Sequence, residues 1–288
     1  MRKRNLLSLL LVSMLLCALS VVYADIGPKD QLKVYLDNPP DEPYYLDLLW
    51  QTDESFSSDN LSEEERAALD PALLEAFKRA VPDGWVPATV GGTSLPMWGD
   101  IVGHTQGAQR VHTFGYVGLP GTCRILLVTE SGKTILTEPI TRRVLQSSVT
   151  LDCAGGSLHQ PAPALALGVS FLATLLPTLL LEGILLLLFG FSLRANWKVF
   201  LLANLVTQIG LTLTVHLTML TSGTISAHLI RVPAELVILV VETVVYRRFL
   251  TGQSPRRRTA YGILANLASW IAGFFSLDLL FRLMVSLC

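Results

Sequence analysis

Charged side chains are scarce in this chain, and the scarcity is uneven. Asp, Glu, Lys and Arg make up 16% of the 288 residues, against 51% hydrophobic. Soluble domains carry roughly 25% charge, so the composition points to membrane segments. The deficit lies at the C-terminal end. Residues 163–288 hold four acidic and nine basic residues, whereas residues 25–162 hold 19 acidic and ten basic. A net charge of −1 therefore hides an acidic middle and a basic, apolar end. Nothing in this distribution calls for a nucleic-acid partner.

Catalytic motifs are also missing. There is no His-Glu-x-x-His, no Gly-x-Ser-x-Gly, no Gly-rich phosphate loop and no Glu-Glu-x-x-x-Arg. No catalytic residue and no cofactor is implied. Cysteine is limited to Cys17, Cys123, Cys153 and Cys288. Asp100, His104 and His112 are the nearest approach to a metal set, but no further ligand has helpful spacing, so no metal is expected.

What is present begins with a signal-peptide pattern. "MRKRN" is a positive region, "LLSLLLVSMLLCALSVV" an apolar core, and Val22 and Ala24 are the small residues before a cut after Ala24. Leu16 precedes Cys17 where a lipoprotein signal needs a small residue, which argues against a lipid anchor. An uncleaved anchor helix is the alternative. Either way, residues 25–162 are expected to be exported.

The exported part reads as a β-rich, α+β, sandwich-like domain. "QLKVYL" alternates Leu32, Val34 and Leu36, and "PYYLDLLWQ" follows as a second strand. One helix is expected next, opened by a capping box of Ser62 and Glu65, with Pro71 as a kink or a second start. "RVHTFGY", "CRILLVT", "KTILTEP" and "RRVLQSSVTL" are strand-like, with "ESGK" as a hairpin turn. Cys123 and Cys153 could form a disulfide closing roughly 30 residues, worth ~3–4 kcal/mol, or remain two thiols. Trp50, Trp85 and Trp98 read as core residues rather than a sugar-stacking platform.

The C-terminal part reads as an all-α four-span bundle, with spans at about 164–193, 199–220, 229–249 and 260–287. Arg194 and Lys198 lie between the first two spans, and Arg247, Arg248, Arg256, Arg257 and Arg258 between the last two. The intervening "TSGTISAH" has no Lys or Arg. The positive-inside rule puts both basic loops in the cytoplasm. Residues 25–162 and the C-terminus are then extracytoplasmic, in a bacterial inner-membrane protein.

Polar residues inside these spans are the candidate site: Glu182, Asn204, Thr207, Gln208, Glu235, Glu242, Asn266 and Ser269. Glu235 and Glu242 are seven residues apart, which returns them to within ~20° on one helix face. Measured from the cytoplasmic ends, Glu242, Asn204, Asn266, Thr207 and Glu182 fall at ~8–17 Å depth. His216 is expected to pair with the deeper Glu235, and Asp278 with Arg282 near the outer surface. Ala265, Ser269 and Gly273 form a small-residue ridge for close helix approach. Such a cluster is either a cytoplasm-facing proton or cation site, or hydrogen-bonding glue that sets helix order.

Several segments resemble those of a family of uncharacterised bacterial multi-pass membrane proteins. They are "PYYLDLL", "RVHTFGY", "RILLVTESGK" and "QSSVTLD" in the exported part, and "NLVTQ", "AELVILVVETVVY" and "NLASW" in the membrane part. The resemblance covers most of residues 25–275. Its Asn-x-x-Thr, paired-Glu and Asn-x-x-Ser features fall on Asn204, Thr207, Glu235, Glu242, Asn266 and Ser269, while Cys123 and Cys153 depart from its pattern. It implies the architecture and no reaction.

Three functions are open at this point. The first is a sensor or accessory subunit with a protein partner, or a homo-oligomer formed through the bundle. The second is a small proton, cation or solute transporter. The third is an intramembrane hydrolase around Ser226 and His228.

Overall fold

The computed structural model describes residues 29–52 and 59–288, except for the Asp278 side chain. The signal-peptide segment 1–24 with Cys17, and the Asp278–Arg282 pair, lie outside the described residues. The described chain forms two compact units, Lys29–Ala162 and Pro163–Leu287.

The first unit is β-rich and built on two sheets. Its strands are β1 (Gln31–Asp37), β2 (Tyr44–Trp50), β3 (Val86–Pro87), β4 (Trp98–Gly99), β5 (His104–Gln106) and β6 (Gln109–Gly115). They continue with β7 (Thr122–Thr129), β8 (Thr134–Leu136), β9 (Ile140–Thr141), β10 (Gln146–Asp152) and β11 (Leu158–His159). One sheet runs β11-β10-β1-β6-β4, with β5 also on β6; the other runs β3-β2-β7-β8, with β9 on β7. Along β1, Leu32, Val34 and Leu36 are fully buried while their neighbours face outward, as a half-buried strand requires. Strand β2 is buried at every position from Tyr44 to Leu49, so no alternation survives in it.

Two short helices stand where one was expected, α1 (Glu63–Ala67) and α2 (Pro71–Arg79). Ser62 and Glu65 form the reciprocal capping box of α1. Asp70 caps α2 through the amides of Ala72 and Leu73, and Pro71 occupies the first turn, where its missing N–H costs nothing. Leu73, Leu74 and Phe77 then join the strand core.

Cys123 and Cys153 are both free and buried, which is the second of the two alternatives left open above. Cys123 is the second residue of β7 in one sheet and Cys153 follows β10 in the other, and each is packed into apolar core. Burial pushes the Cys123 thiol up to about 12 and Cys153 to about 11, which leaves both unreactive. Trp50 and Trp85 pack against the core, whereas Trp98 is exposed.

The second unit is helical: α3 (Pro163–Leu188), α4 (Leu193–Leu211), a π-helical turn (Thr212–His216), α5 (Leu217–Phe249) and α6 (Pro255–Val285). Segments Pro163–Leu188 and Pro255–Leu277 are long and apolar enough to cross a membrane. The expected loop at 221–228 is shorter than read, since helix enters it from both sides and two helices meet there at a kink. The kink falls at Gly223, at φ 82° and ψ 176°, a conformation that a side chain would strain. Burial in this unit is inverted. Leu188, Leu279 and Phe275 are 71–82% exposed, whereas Glu182, Asn204 and Glu242 are 1–2% exposed.

Candidate functional site: a polar cavity among the helices

The eight residues singled out above line a single cavity of about 170 Å³. Each helix contributes through its own periodicity. Asn204, Thr207 and Gln208 share one face of α4, Asn266 and Ser269 one face of α6, and Glu235 and Glu242 one face of α5.

Glu242 is held at both oxygens. Thr207 Oγ1 donates to Oε1, and Asn266 Nδ2 donates to Oε2 at 2.9 Å. Asn266 also donates to the Gly262 carbonyl at 2.9 Å, which fixes its rotamer. Glu182, on α3, accepts from Ser269 Oγ at 2.9 Å through Oε1. Its Oε2 is buried and has no hydrogen-bond partner among the described residues. Tyr261 donates to the Glu182 backbone carbonyl at 3.3 Å, and Asn204 donates to the Tyr246 hydroxyl at 2.9 Å. Gln208 reaches Thr174 on α3. The cluster therefore ties all four long helices together through side chains.

Glu235 has a partner that the sequence reading missed. Arg231 donates to Glu235 Oε1 from Nε at 3.2 Å and from Nη2 at 3.1 Å, and from Nη1 to the Gly273 carbonyl at 2.7 Å. Both side chains are under a tenth exposed. Gly273 permits this approach, because a Cβ there would collide with the guanidinium. The signal was available as the i, i+4 spacing of Arg231 and Glu235. The expected His216–Glu235 pair is corrected accordingly. His216 sits in the π-helical turn and bonds Ser170 on α3 at 3.1 Å.

Ser226 and His228 lie within α5 rather than in a loop, and His228 packs on Phe274 with ring centroids 5.3 Å apart. Among the described residues, no group of three or more His, Cys, Asp or Glu is placed to hold a metal ion. His112 bonds the Asp100 carbonyl at 2.8 Å and the Tyr44 hydroxyl at 3.1 Å, while His104 lies exposed beside the Asp100 carboxylate.

Comparison with known protein families, with curated proteins and with solved structures returns no match. Chemically, the site offers two kinds of carboxylate. Glu235 is neutralised by a fixed guanidinium. Glu182 and Glu242 are held by hydroxyl and amide donors, and one oxygen of Glu182 is buried without a hydrogen-bond partner among the described residues.

Proposed function

We infer that the chain is a multi-pass bacterial inner-membrane protein of the sensor or accessory class, whose helical unit responds through its carboxylate cluster. Four spans are taken as α3, α4 with the π-helical turn, α5 beyond Gly223, and α6. The inverted burial supports this, because lipid accepts exposed leucine and penalises exposed carboxylate. The basic loops around Arg194 and Lys198, and from Arg247 to Arg258, are then cytoplasmic. Residues 25–162, after a cleaved signal peptide, are extracytoplasmic and meet the partner or ligand.

The observation that carries a responsive role, rather than glue, is the Oε2 of Glu182, buried without a hydrogen-bond partner among the described residues. A carboxylate retained only to set helix order would have both oxygens satisfied, as Glu242 has. A transporter is the second reading, favoured by the same cavity. Four spans without an internal repeat, and an Arg–Glu pair lodged in the cavity wall, support the sensor class over it.

The full-length protein reconstituted in vesicles is expected to pass neither protons nor Na⁺ or K⁺. A wild-type flux that Glu182→Gln abolishes, at unchanged folded yield, would replace the sensor reading with a transporter.

A further inference from the structure

We propose that the cavity binds a small primary ammonium ion with an apolar body, its head held by Glu182 and Glu242. This rests on the membrane-embedded reading above and names the ligand class of the same site.

Charge makes the first argument. Three carboxylates and one guanidinium line the cavity, and Arg231 is committed to Glu235. Glu182 and Glu242 have no cationic partner among the described residues. They are neighbours, because Asn266 and Ser269 hold one each from successive turns of α6, and side chains three apart on a helix lie about 5–6 Å apart at Cβ. Two carboxylates so placed in a low-dielectric interior favour a bound positive charge.

Hydrogen bonding makes the second. Glu182 lines the cavity, and its Oε2 is an acceptor, buried and without a hydrogen-bond partner among the described residues. An ammonium head brings three N–H donors and one charge to that position.

Shape makes the third. Besides its polar groups the wall includes Pro177, Leu181, Leu211, Ile238 and Leu280. The volume of about 170 Å³ resembles that of a cavity of about 150 Å³ which takes up benzene. A hard metal cation would instead need a shell of about six to eight oxygens. A quaternary ammonium is recognised by the faces of Trp, Tyr or Phe, and none of these is among the described residues lining the cavity. Two carboxylates for the head and apolar side chains for the body fit a primary amine of a few carbons.

The test uses full-length protein in nanodiscs at constant ionic strength, titrated calorimetrically with methylammonium, n-butylammonium, tetramethylammonium and Na⁺. Butylammonium is expected to bind saturably, on the order of tenfold or more tighter than methylammonium. Tetramethylammonium and Na⁺ should not compete. Glu182→Gln should weaken butylammonium on the order of tenfold. Should that variant not fold, Leu280→Ala keeps every carboxylate and enlarges the apolar end. The preferred amine chain then lengthens, with methylammonium binding unchanged.

An unaltered chain preference in folded Leu280→Ala, equal binding of Na⁺, or no amine binding to folded wild type each overturns the proposal. Alkaline carbonate washing of the source membranes separates the two levels. Protein that stays in the membrane but binds no amine defeats this inference alone, whereas protein that washes off defeats the membrane reading beneath it.

Discussion

Arg231 alters what Glu235 means. A lone carboxylate at mid-span would be an expensive charge seeking a distant partner; beside Arg231 it is half of a local pair that also grips the Gly273 carbonyl. Removing one member of a buried pair leaves the other uncompensated, at about 3–5 kcal/mol, whereas removing both can be nearly neutral. Arg231→Met is therefore expected to destabilise the helical unit by about that amount. Adding Glu235→Gln should recover most of the loss. Unfolding of full-length protein in mixed micelles measures the cycle, and additive single effects would show that the pair is not coupled. The pairing was legible in the sequence as an i, i+4 spacing. Spacing alone did not single it out, because the helical acids fall on other elements as well, and only the fold shows which of them Arg231 meets.

Between elements, the β-rich unit is stitched by two buried titratable groups of opposite sign. His112 on β6 bonds Tyr44 on β2, which joins the two sheets, and it also bonds the Asp100 carbonyl. Burial lowers it from its ordinary 6.5 to about 4. Its stabilising contribution is whole above ~6.5, where both states are neutral, and falls as pH drops toward 4 because the unfolded chain protonates first. The full span is worth on the order of 3 kcal/mol.

Asp47 on β2 accepts from the amides of Leu48, Thr89 and Val90, and burial raises it from 3.8 to about 6. Its folded form binds a proton first, so between pH 6 and ~4 acidification favours the fold. The two slopes oppose each other in the wild type. His112→Gln is expected to leave a unit that gains protection as pH falls from 6 to 4. Asp47→Asn should leave one that loses it, and should also cost about 1–3 kcal/mol by placing an amide donor against backbone donors. Hydrogen exchange of β1 and β6 in the full chain, corrected for intrinsic rates, reads both, and identical slopes in the two variants would refute the assignment. Strand periods, the capping box and the Pro71 start were readable from local sequence because local chemistry decides them. The parallel pairing of β1 with β10 was not, since it joins segments more than a hundred residues apart. The helix entering 221–228 from both sides was not either, because Gly223 alone makes the break that a polar loop seemed to require.

At the scale of the whole molecule, one arrangement accounts for the charge asymmetry, the inverted burial and the cavity together. Basic residues cluster at the α3–α4 and α5–α6 connections, and the segment around Gly223 has none. The carboxylate cluster lies among the helices, where only neighbouring side chains can satisfy it. That combination was readable because hydropathy and charge are summed over long stretches and survive errors in any single boundary. The cavity's partners had to be seen in three dimensions. Orientation gives the last prediction. In intact spheroplasts, external protease should digest residues 25–162, while an epitope inserted at Gln253 stays protected until lysis. Replacing Arg247, Arg248, Arg256, Arg257 and Arg258 by Gln removes the bias that retains this loop, and a fraction of the epitope should then become accessible. Digestion of the epitope in intact wild-type spheroplasts would reverse the orientation.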